Sequence, residues 1–342
     1  MNGSNRHRAP RNRTLALSAQ EEAALSKGLL RSPLPQDTGR LADQVVCGDF
    51  FELLPQLPKA FVDLLILDPP YNLTKRFGAE SFRERPLAEY EEWLEGWFVR
   101  ALALLKPTAS LYVCGDWKSS AALHRVLDRH VMVRNRITWE REKGRGAKRN
   151  WKNASEDIWF ATVSNEYHFN VEAVKVKRRV IAPYRENGQP KDWQEREDGN
   201  FRLTHPSNLW TDLTVPFWSM PENTDHPTQK PEKLLAKLLL ASSREDDLVF
   251  DPFLGAGTTA AAARKLGRRF LGIELDEHYA CLALKRVELA NDDPSIQGYA
   301  GGVFWERNSL NAQPRETTTP VDEPPMLFEA SPPDRAARSQ SK

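Results

Sequence analysis

Residues 61–71, FVDLLILDPPY, decide the fold class because they join an almost continuous apolar run to a rigid polar turn. A run that is apolar at successive positions, instead of alternating, is typical of a strand buried on both faces of a parallel sheet. The two prolines then fix the backbone and keep Asp68 out of helical conformations. We therefore predict that Asp68 and Tyr71 lie on a loop at the carboxyl end of a central strand.

Further apolar runs alternate with helical patterns along the chain. SLYVCGD at 110–116 and DLVFD at 247–251 are predicted buried strands, and the amphipathic segment 88–106 is a predicted helix that Pro107 stops. This βαβ alternation predicts an α/β fold with a doubly wound, mostly parallel sheet.

Composition divides the chain into five segments. Residues 1–40 are basic, and we expect a largely flexible arm there. The weakly periodic residues 164–225 are a predicted insertion at the sheet edge, between two parts of one α/β domain at 41–163 and 226–290. Residues 291–342 are rich in Pro, Ser, Glu and Thr, so we expect them to be mostly disordered.

Charge is nearly balanced overall but uneven along the chain. The 342 residues include 48 Lys and Arg and 47 Asp and Glu, for a net charge of +1. Basic residues dominate 1–20 and the stretch RNRITWEREKGRGAKRNWKN at 134–153. Such a local excess is typical of a polyanion-binding surface, although a solvated surface is equally consistent with it.

Membrane and metal-binding classes have little support in the sequence. No window approaches the roughly 18 successive apolar residues of a membrane span, and the start has no apolar stretch long enough for a signal peptide. Cys47, Cys114 and Cys281 are far apart and odd in number, so we expect neither a disulfide framework nor a metal site. The expected location is the cytoplasm, at the nucleoid.

The stretch DPFLGAGTTA, 251–260, has glycines where a strand turns into a helix. Gly255, Gly257 and Ala260 fit the G-x-G-x-x-G/A fingerprint, whose glycines let backbone N–H groups approach a ligand. Glu274 ends the next predicted strand, where a carboxylate can accept hydrogen bonds from ribose hydroxyls. The pattern predicts an adenosine-bearing cofactor and does not by itself distinguish NAD from others.

The turn at 68–71 offers acceptors and an aromatic face. Prolines donate no backbone hydrogen bond, so the turn presents the Asp68 carboxylate and the Pro69 carbonyl. Two acceptors close together suit an NH2 group, and the Tyr71 ring can stack on the plane that carries it, which contributes about 1–3 kcal/mol per base. The turn is therefore a predicted receptor for the amine of a nucleobase.

Three motifs in order resemble the amino-group DNA methyltransferases that use S-adenosylmethionine: DPPYN at 68–72, HPTQKP at 226–231 and DPFLGAGTT at 251–259. The order, with the catalytic motif ahead of the cofactor glycines, is similar to their β class, whose members mostly methylate adenine N6. The resemblance covers roughly residues 44–290. It implies the S-adenosylmethionine-dependent methyltransferase fold, with residues 164–225 as a target-recognition insertion.

The resemblance also implies residue roles. The catalytic residues would be Asp68, Pro69, Pro70 and Tyr71. The residues that bind S-adenosylmethionine would be Asp49, Thr228, Lys230, Asp251, Phe253, Gly255, Gly257, Thr258 and Glu274. The basic stretches and the insertion give the candidate DNA contacts Arg145, Lys148, Arg149, Lys175, Arg178 and Arg179. Residues 41–163 would form the catalytic half of the domain, and 226–290 the cofactor-binding half.

The expected function is site-specific transfer of a methyl group to N6 of a flipped adenine in double-stranded DNA. The main alternative is cytosine N4, although family members acting on cytosine tend to carry Ser in place of Asp68. RNA or protein amide methylation usually goes with Asn at that position, an NAD oxidoreductase leaves DPPY unexplained, and a catalytically silent DNA-binding module does not need Tyr71. A homodimer and a restriction endonuclease companion stay open.

Overall fold

The computed structural model describes residues 11–73, 75–77, 80–141, 149–180, 185–186, 189–190, 193–196 and 199–307. The strands in this described part are β1 (Gln44–Cys47), β2 (Val62–Leu67), β3 (Lys75–Phe77), β4 (Glu80–Phe82), β5 (Leu105–Gly115), β6 (Met132–Glu140), β7 (Ser155–Thr162), β8 (Val176–Arg179), β9 (Arg185–Glu186), β10 (Gln189–Pro190), β11 (Gln194–Arg196), β12 (Gly199–Thr204), β13 (Leu209–Trp210), β14 (Leu248–Asp251), β15 (Arg269–Glu274), β16 (Tyr299–Ala300) and β17 (Val303–Trp305). The α-helices are α1 (Ala19–Leu25), α2 (Thr38–Leu41), α3 (Phe50–Leu53), α4 (Leu87–Leu102), α5 (Ser120–His130), α6 (Glu232–Ser242), α7 (Thr258–Lys265) and α8 (Glu277–Asp292). Within these ranges, no helix combines the length and apolarity needed to cross a membrane.

An eight-stranded sheet in the order β1-β15-β14-β2-β5-β7-β6-β13 forms the centre of the molecule. In the part of the sheet that runs β1-β15-β14-β2-β5, neighbouring strands are parallel. Strand β7 is antiparallel to both β5 and β6. The prediction of an α/β fold with a mostly parallel sheet is therefore confirmed.

The alternating side chains of β2 enter two separate cores, which explains its continuous apolar run. Leu65 and Leu67 pack in a cluster with side chains of α4 and α5, such as Leu94. Leu64 and Ile66 pack in a second cluster with side chains of α6 and α7. The three leucines and the isoleucine of β2 in these clusters are each at most 3% exposed, so both faces of the strand are covered. The helices on opposite faces make the sheet doubly wound.

The prediction that Pro107 stops the long helix is wrong. Helix α4 ends at Leu102, and Pro107 lies inside β5. The register between β2 and β5 shifts between Val62 and Leu64, so the residues opposite this irregularity do not all join the hydrogen-bond ladder. Because a bulge does not need every backbone N–H, it tolerates a proline in a strand.

Residues 11–40 differ from the largely flexible arm that composition suggested. Helix α1 begins with a capping box: the Ser18 hydroxyl oxygen accepts from the Glu21 N–H, and the Ser18 N–H donates to the Glu21 carboxylate. Leu29 and Leu34 are buried, and the Leu30 N–H donates to the Val45 carbonyl over 3.0 Å. The prediction of a flexible arm came from the basic composition of the segment, which does not show that single leucines such as Leu29 and Leu34 are buried.

A second sheet, β11-β12-β8-β17-β16, combines strands of the predicted insertion with strands of the predicted tail. Strand β17 runs parallel to β8, and Phe304 packs with Val176 and with Ala236 of α6. Residues 299–305 thus differ from the mostly disordered tail that we expected, because a short aromatic cluster is buried there. Residues 308–342 lie outside the described part of the chain.

Candidate functional site

The two motifs that the sequence singled out meet at one edge of the central sheet. Strands β2 and β14 are parallel neighbours, so the loops after Leu67 and Asp251 leave the sheet side by side. A cavity separates them, and its lining includes Asp68 on one side and Phe253 and Gly255 on the other. We call residues 68–71 the DPPY loop and residues 251–258 the glycine turn.

Both carboxylate oxygens of Asp68 accept hydrogen bonds from side chains. The Tyr71 hydroxyl donates to Oδ1 over 2.8 Å, and the Lys230 ammonium donates to Oδ2 over 2.6 Å. The ammonium also lies 3.3 Å from the Tyr71 hydroxyl oxygen. The HPTQKP segment, 162 residues away in sequence, therefore contributes its lysine directly to the DPPY loop.

The Lys230 ammonium is held in its charged form. Burial works against the charge, but the carboxylates of Asp68 and Glu156 outweigh it and raise the pKa of Lys230. Burial, with the nearby Asp68 charge, also raises the pKa of the Tyr71 hydroxyl well above its usual value. Tyr71 is thus a neutral donor, and Lys230 is a cation, at neutral pH.

Asn72, the last residue of the motif DPPYN, and Tyr90, which the sequence analysis did not single out, support the DPPY loop. The Asn72 side chain donates to the Arg85 carbonyl and accepts from the Arg85 N–H, each over 2.8 Å, which ties the chain on both sides of residues 73–84. The Tyr90 hydroxyl donates to the Pro70 carbonyl over 3.2 Å. Pro69 is buried. These hydrogen bonds hold the loop in place, and Asp68 lines the cavity.

Glu156, at the start of β7, adds a second carboxylate that sequence reasoning missed. Its Oε2 atom lies 3.5 Å from the Lys230 ammonium, and its Oε1 atom accepts a hydrogen bond from Arg141. Strand β7 pairs with β5, which pairs with β2, so the start of β7 lies at the same edge as the end of β2. The available signal was an acidic residue beside an apolar strand, SEDIWFATV.

The glycine turn depends on two glycines with positive φ. Gly255 has φ +55° and Gly257 has φ +80°, a region that disfavours other residues. A Cβ atom at Gly257 would lie 2.5 Å from the Ala283 Cβ atom on α8, which leaves no room for a side chain. A Cβ atom at Gly255 would lie 3.1 Å from the His226 ring, and both residues line the cavity.

Glu274 ends β15 and lies at the glycine turn. Its Oε2 atom accepts from the Gly255 N–H and its Oε1 atom from the Asp276 N–H, each over 2.8 Å. Burial raises the pKa of this carboxyl group. Asp49 lies close to Glu274, because the neighbouring Gly48 N–H donates to the Glu274 carbonyl. The Asp49 carboxylate accepts from the Phe51 N–H and so caps α3.

Asp251 and Thr258 make internal contacts in the turn. The Asp251 carboxyl accepts from the Phe253 N–H over 3.0 Å and from the Thr259 hydroxyl over 2.5 Å. Burial raises the pKa of Asp251 to about 7. The Thr258 hydroxyl donates to the Lys230 carbonyl over 3.0 Å, which links the turn to the HPTQKP segment. Both residues brace the turn in this structure.

The remaining predicted cofactor residues differ in their environment. Thr228 lines the cavity, as does Phe253. The Phe253 ring also contacts the ring of Phe50, with centroids 5.5 Å apart, so one of its faces is packed. Phe253, Gly255 and Thr228 line one cavity, and Glu274 lies beside it, bonded to the Gly255 N–H. These features fit an adenosine-bearing cofactor.

The candidate DNA contacts are only partly described. Arg145 and Lys148 lie outside the described residues. Arg149 and Arg179 are exposed. Two further residues pair with acids: Lys175 Nζ lies 2.5 Å from Glu172, and Arg178 Nε lies 3.4 Å from Glu306. The DNA-contacting role of all six residues stays a prediction.

Comparison with known proteins gives one family. The family model described as DNA methylase matches residues 62–285. The chain is 32% identical over 267 residues to DNA adenine methyltransferase YhdJ of Escherichia coli, covering 75% of this chain and 86% of that protein. It is 29% identical over 248 residues to the type II methyltransferase M.HpaI of Haemophilus parainfluenzae, covering 72% and 74%.

A solved structure shares the fold. The cytosine-N4-specific PvuII DNA methyltransferase has a TM-score of 0.52 and 21% sequence identity, covering 73% of this chain and 90% of that one. At this identity the likeness concerns the α/β architecture alone.

Proposed function

The chain belongs to the DNA methylase family, and on that premise we propose that it is a site-specific adenine-N6 DNA methyltransferase that uses S-adenosylmethionine. One observation carries the proposal: the Asp68 carboxylate faces the glycine turn across a single cavity. An acceptor for an amine and a turn suited to a nucleoside cofactor are thereby brought within reach of each other. The name of the relative YhdJ, an adenine methyltransferase, favours adenine as the target.

The DPPY loop would receive an extruded base. An amine inside a duplex cannot reach the cavity, so the base must leave the helix at a cost of a few kcal/mol. The Asp68 carboxylate and the Pro69 carbonyl would accept the hydrogen atoms of the amine, and the Tyr71 ring would stack on the base. Because the Tyr71 hydroxyl donates to Asp68 in the structure, that hydrogen bond must break or lengthen as the ring takes its stacking position.

The chemical task of the chain is orientation and charge stabilisation. S-adenosylmethionine supplies an electrophilic methyl group. An aromatic amine is a weak nucleophile because its lone pair is delocalised, so acceptors at Asp68 and Pro69 favour a nitrogen whose lone pair points at the methyl group. As the nitrogen–methyl bond forms and the methyl–sulfur bond breaks to leave a neutral thioether, positive charge would develop on that nitrogen, where the Asp68 carboxylate stabilises it until one N–H proton is lost to solvent.

The cofactor would lie against the glycine turn. Glu274 and Asp49 would lie at its ribose and adenine end, with Phe253, Gly255 and Gly257 along its length. Thr228 and Lys230 are assigned to its methionine end, while Asp251 and Thr258 hold the turn in shape. Each role remains our proposal.

Double-stranded DNA is the proposed macromolecular partner. Residues 164–225 would hold target recognition, supported by the basic candidates Arg149 and Arg179, which are exposed. The relative M.HpaI is named as a type II enzyme, which makes a restriction endonuclease companion worth testing. We further propose action in the cytoplasm, at the nucleoid, and leave a homodimer as the alternative to a monomer.

Methyl transfer to DNA tests the proposal directly. The purified chain is incubated with tritium-labelled S-adenosylmethionine and unmethylated plasmid DNA, and the DNA is digested to nucleosides and separated. We expect label in N6-methyladenosine. Label in N4-methylcytosine would replace adenine by cytosine, and label in neither would overturn the proposal.

A further inference from the structure

Two carboxylates, the buried Glu156 and the partly exposed Asp68, share one ammonium at the site. Lys230 Nζ lies 2.6 Å from Asp68 Oδ2 and 3.5 Å from Glu156 Oε2. Glu156 is 5% exposed, and the Lys230 side chain is 11% exposed. Water therefore screens these charges little, and a small displacement of the ammonium changes its interaction with each carboxylate strongly.

The two oxygens of Glu156 are not equally satisfied. Oε1 accepts a hydrogen bond from Arg141. Oε2 is buried and accepts no hydrogen bond from any described residue. A buried acceptor without a donor is unfavourable, so Oε2 gains most if the ammonium moves from 3.5 Å to about the 2.8 Å of a charge-assisted hydrogen bond.

The present position of Lys230 is unfavourable for methyl transfer. With the ammonium 2.6 Å away, much of the negative charge of Asp68 is already neutralised. Positive charge on the target nitrogen is stabilised less by a carboxylate that carries its own close cation. Each oxygen of Asp68 already accepts one hydrogen bond, one from Lys230 and one from Tyr71, so the target amine would have to share an oxygen with one of these donors.

We propose that Glu156 is a positioning residue for methyl transfer: it takes the Lys230 ammonium and so leaves Asp68 free to hold the target amine. This inference rests on the proposed amine methylation. No proton is transferred and no covalent bond forms or breaks in this step. The ammonium moves by less than about 1 Å, from the Asp68 carboxylate to the Glu156 carboxylate. Arg141 holds the other oxygen of Glu156 and keeps that carboxylate in place for the exchange.

Replacing Glu156 with Gln tests the proposal in the full chain. The variant keeps the size of the side chain and removes its charge, so Lys230 stays on Asp68. We expect kcat for DNA methylation to fall at least about tenfold, while the Kd for S-adenosylmethionine, measured by calorimetry, changes less than about threefold. The charge-retaining variant Glu156→Asp should fall between wild type and Glu156→Gln.

Asp157→Asn is the matched control. It makes the same chemical change one residue along β7, where the carboxylate accepts from Ser120 and Thr138 and does not contact Lys230. Its kcat should stay within about twofold of wild type, because the ammonium position is unaffected. Thermal unfolding of each variant shows whether a loss of kcat comes from a loss of folded protein.

A double variant separates positioning from a general structural role. In a Lys230→Met background no ammonium needs to move, so adding Glu156→Gln should change the single-turnover rate less than about twofold. An equal tenfold loss in both backgrounds would overturn the proposal, as would a wild-type kcat for Glu156→Gln alone. If Glu156→Gln does not fold, a wild-type kcat for Glu156→Asp would have the same consequence.

The wild-type chain in the same assay keeps the two levels of inference apart. Absence of methyl transfer by wild type would reject the proposed function. Normal transfer by wild type together with normal transfer by Glu156→Gln would reject only the role of Glu156.

Discussion

The DPPY loop and the glycine turn face the same cavity, but different kinds of contact hold them. In the DPPY loop, the Asp68 carboxylate bonds the side chains of Tyr71 and Lys230, which can exchange for other donors. In the glycine turn, backbone groups and buried side chains bond one another, as Gly255 does with Glu274. Changes in the loop should therefore alter rates, and changes in the turn should alter stability.

Arg286 offers the largest effect on stability. It is 4% exposed, and its guanidinium donates to the Ala256 carbonyl, the Thr258 hydroxyl and the Glu232 carboxylate over 2.8–3.1 Å. Arg286→Met leaves these acceptors without their donor, so we expect a loss of about 3–5 kcal/mol in the free energy of unfolding, measured in urea.

The exposed ion pair of Arg125 with Glu91 supplies the control for that loss. Arg125→Met should cost less than about 1 kcal/mol, because solvent screens the pair. Similar losses for the two variants would contradict the view that the turn is held by its buried contacts.

Asp68→Ala should have the largest effect on rate. We expect kcat to fall about 10²–10³-fold or more, because the acceptor for the amine and the charge that stabilises the transition state are both removed. The Kd for S-adenosylmethionine should change little, and stability should change little as well, since Glu156 remains to pair with Lys230. Label transfer, calorimetry and urea unfolding measure the three quantities; near-normal turnover would refute the assignment.

Gly257→Ala should destabilise the turn by about 2–4 kcal/mol, because it combines a positive φ with a Cβ atom 2.5 Å from Ala283. Gly301→Ala is the matched control: Gly301 has φ +59°, but nothing lies within 4 Å of an added Cβ. It should cost only about 1 kcal/mol for backbone strain. Equal losses in urea unfolding would show that packing on α8 does not determine the need for glycine.

Asp251 predicts a pH dependence of stability. Its pKa is raised to about 7 by burial, so the folded state keeps its proton where the unfolded state has lost it. This group's contribution to stability therefore decreases as pH rises from about 4 to about 7 and is constant above that. Asp251→Asn should remove on the order of 4 kcal/mol from that pH-dependent difference, measured by urea unfolding across this range. Identical pH profiles for wild type and variant would be evidence against a protonated Asp251.

Tyr71→Phe should have the smallest effect. It removes the hydroxyl that donates to Asp68 and keeps the ring for stacking, so we expect kcat within about fivefold of wild type. Tyr71→Ala removes the ring as well and should weaken base binding by about 1–3 kcal/mol, seen in the KM for DNA. If both variants lose equal activity, the hydroxyl is the important group of Tyr71.

Local sequence patterns predicted the central strands and the placement of Glu274, because their causes are local. The consecutive apolar residues of β2 require cover on both faces, and the glycines at 255 and 257 require a turn with positive φ. The same approach failed at Pro107, where a register shift in the sheet accepts a proline that a regular ladder would exclude. Average composition likewise does not reveal a few residues, such as Phe304, that become buried together.

The sequence by itself determined the α/β fold, the two motifs and their family, since each depends on residue types at short spacing. Only the tertiary structure decided which charges meet. It brought Lys230 to Asp68 across 162 residues and added Glu156 from a third strand. The physical reason is that the end of β2, the start of the antiparallel β7 and the segment before α6 meet at one edge of the sheet, and electrostatic energy depends on distance in space.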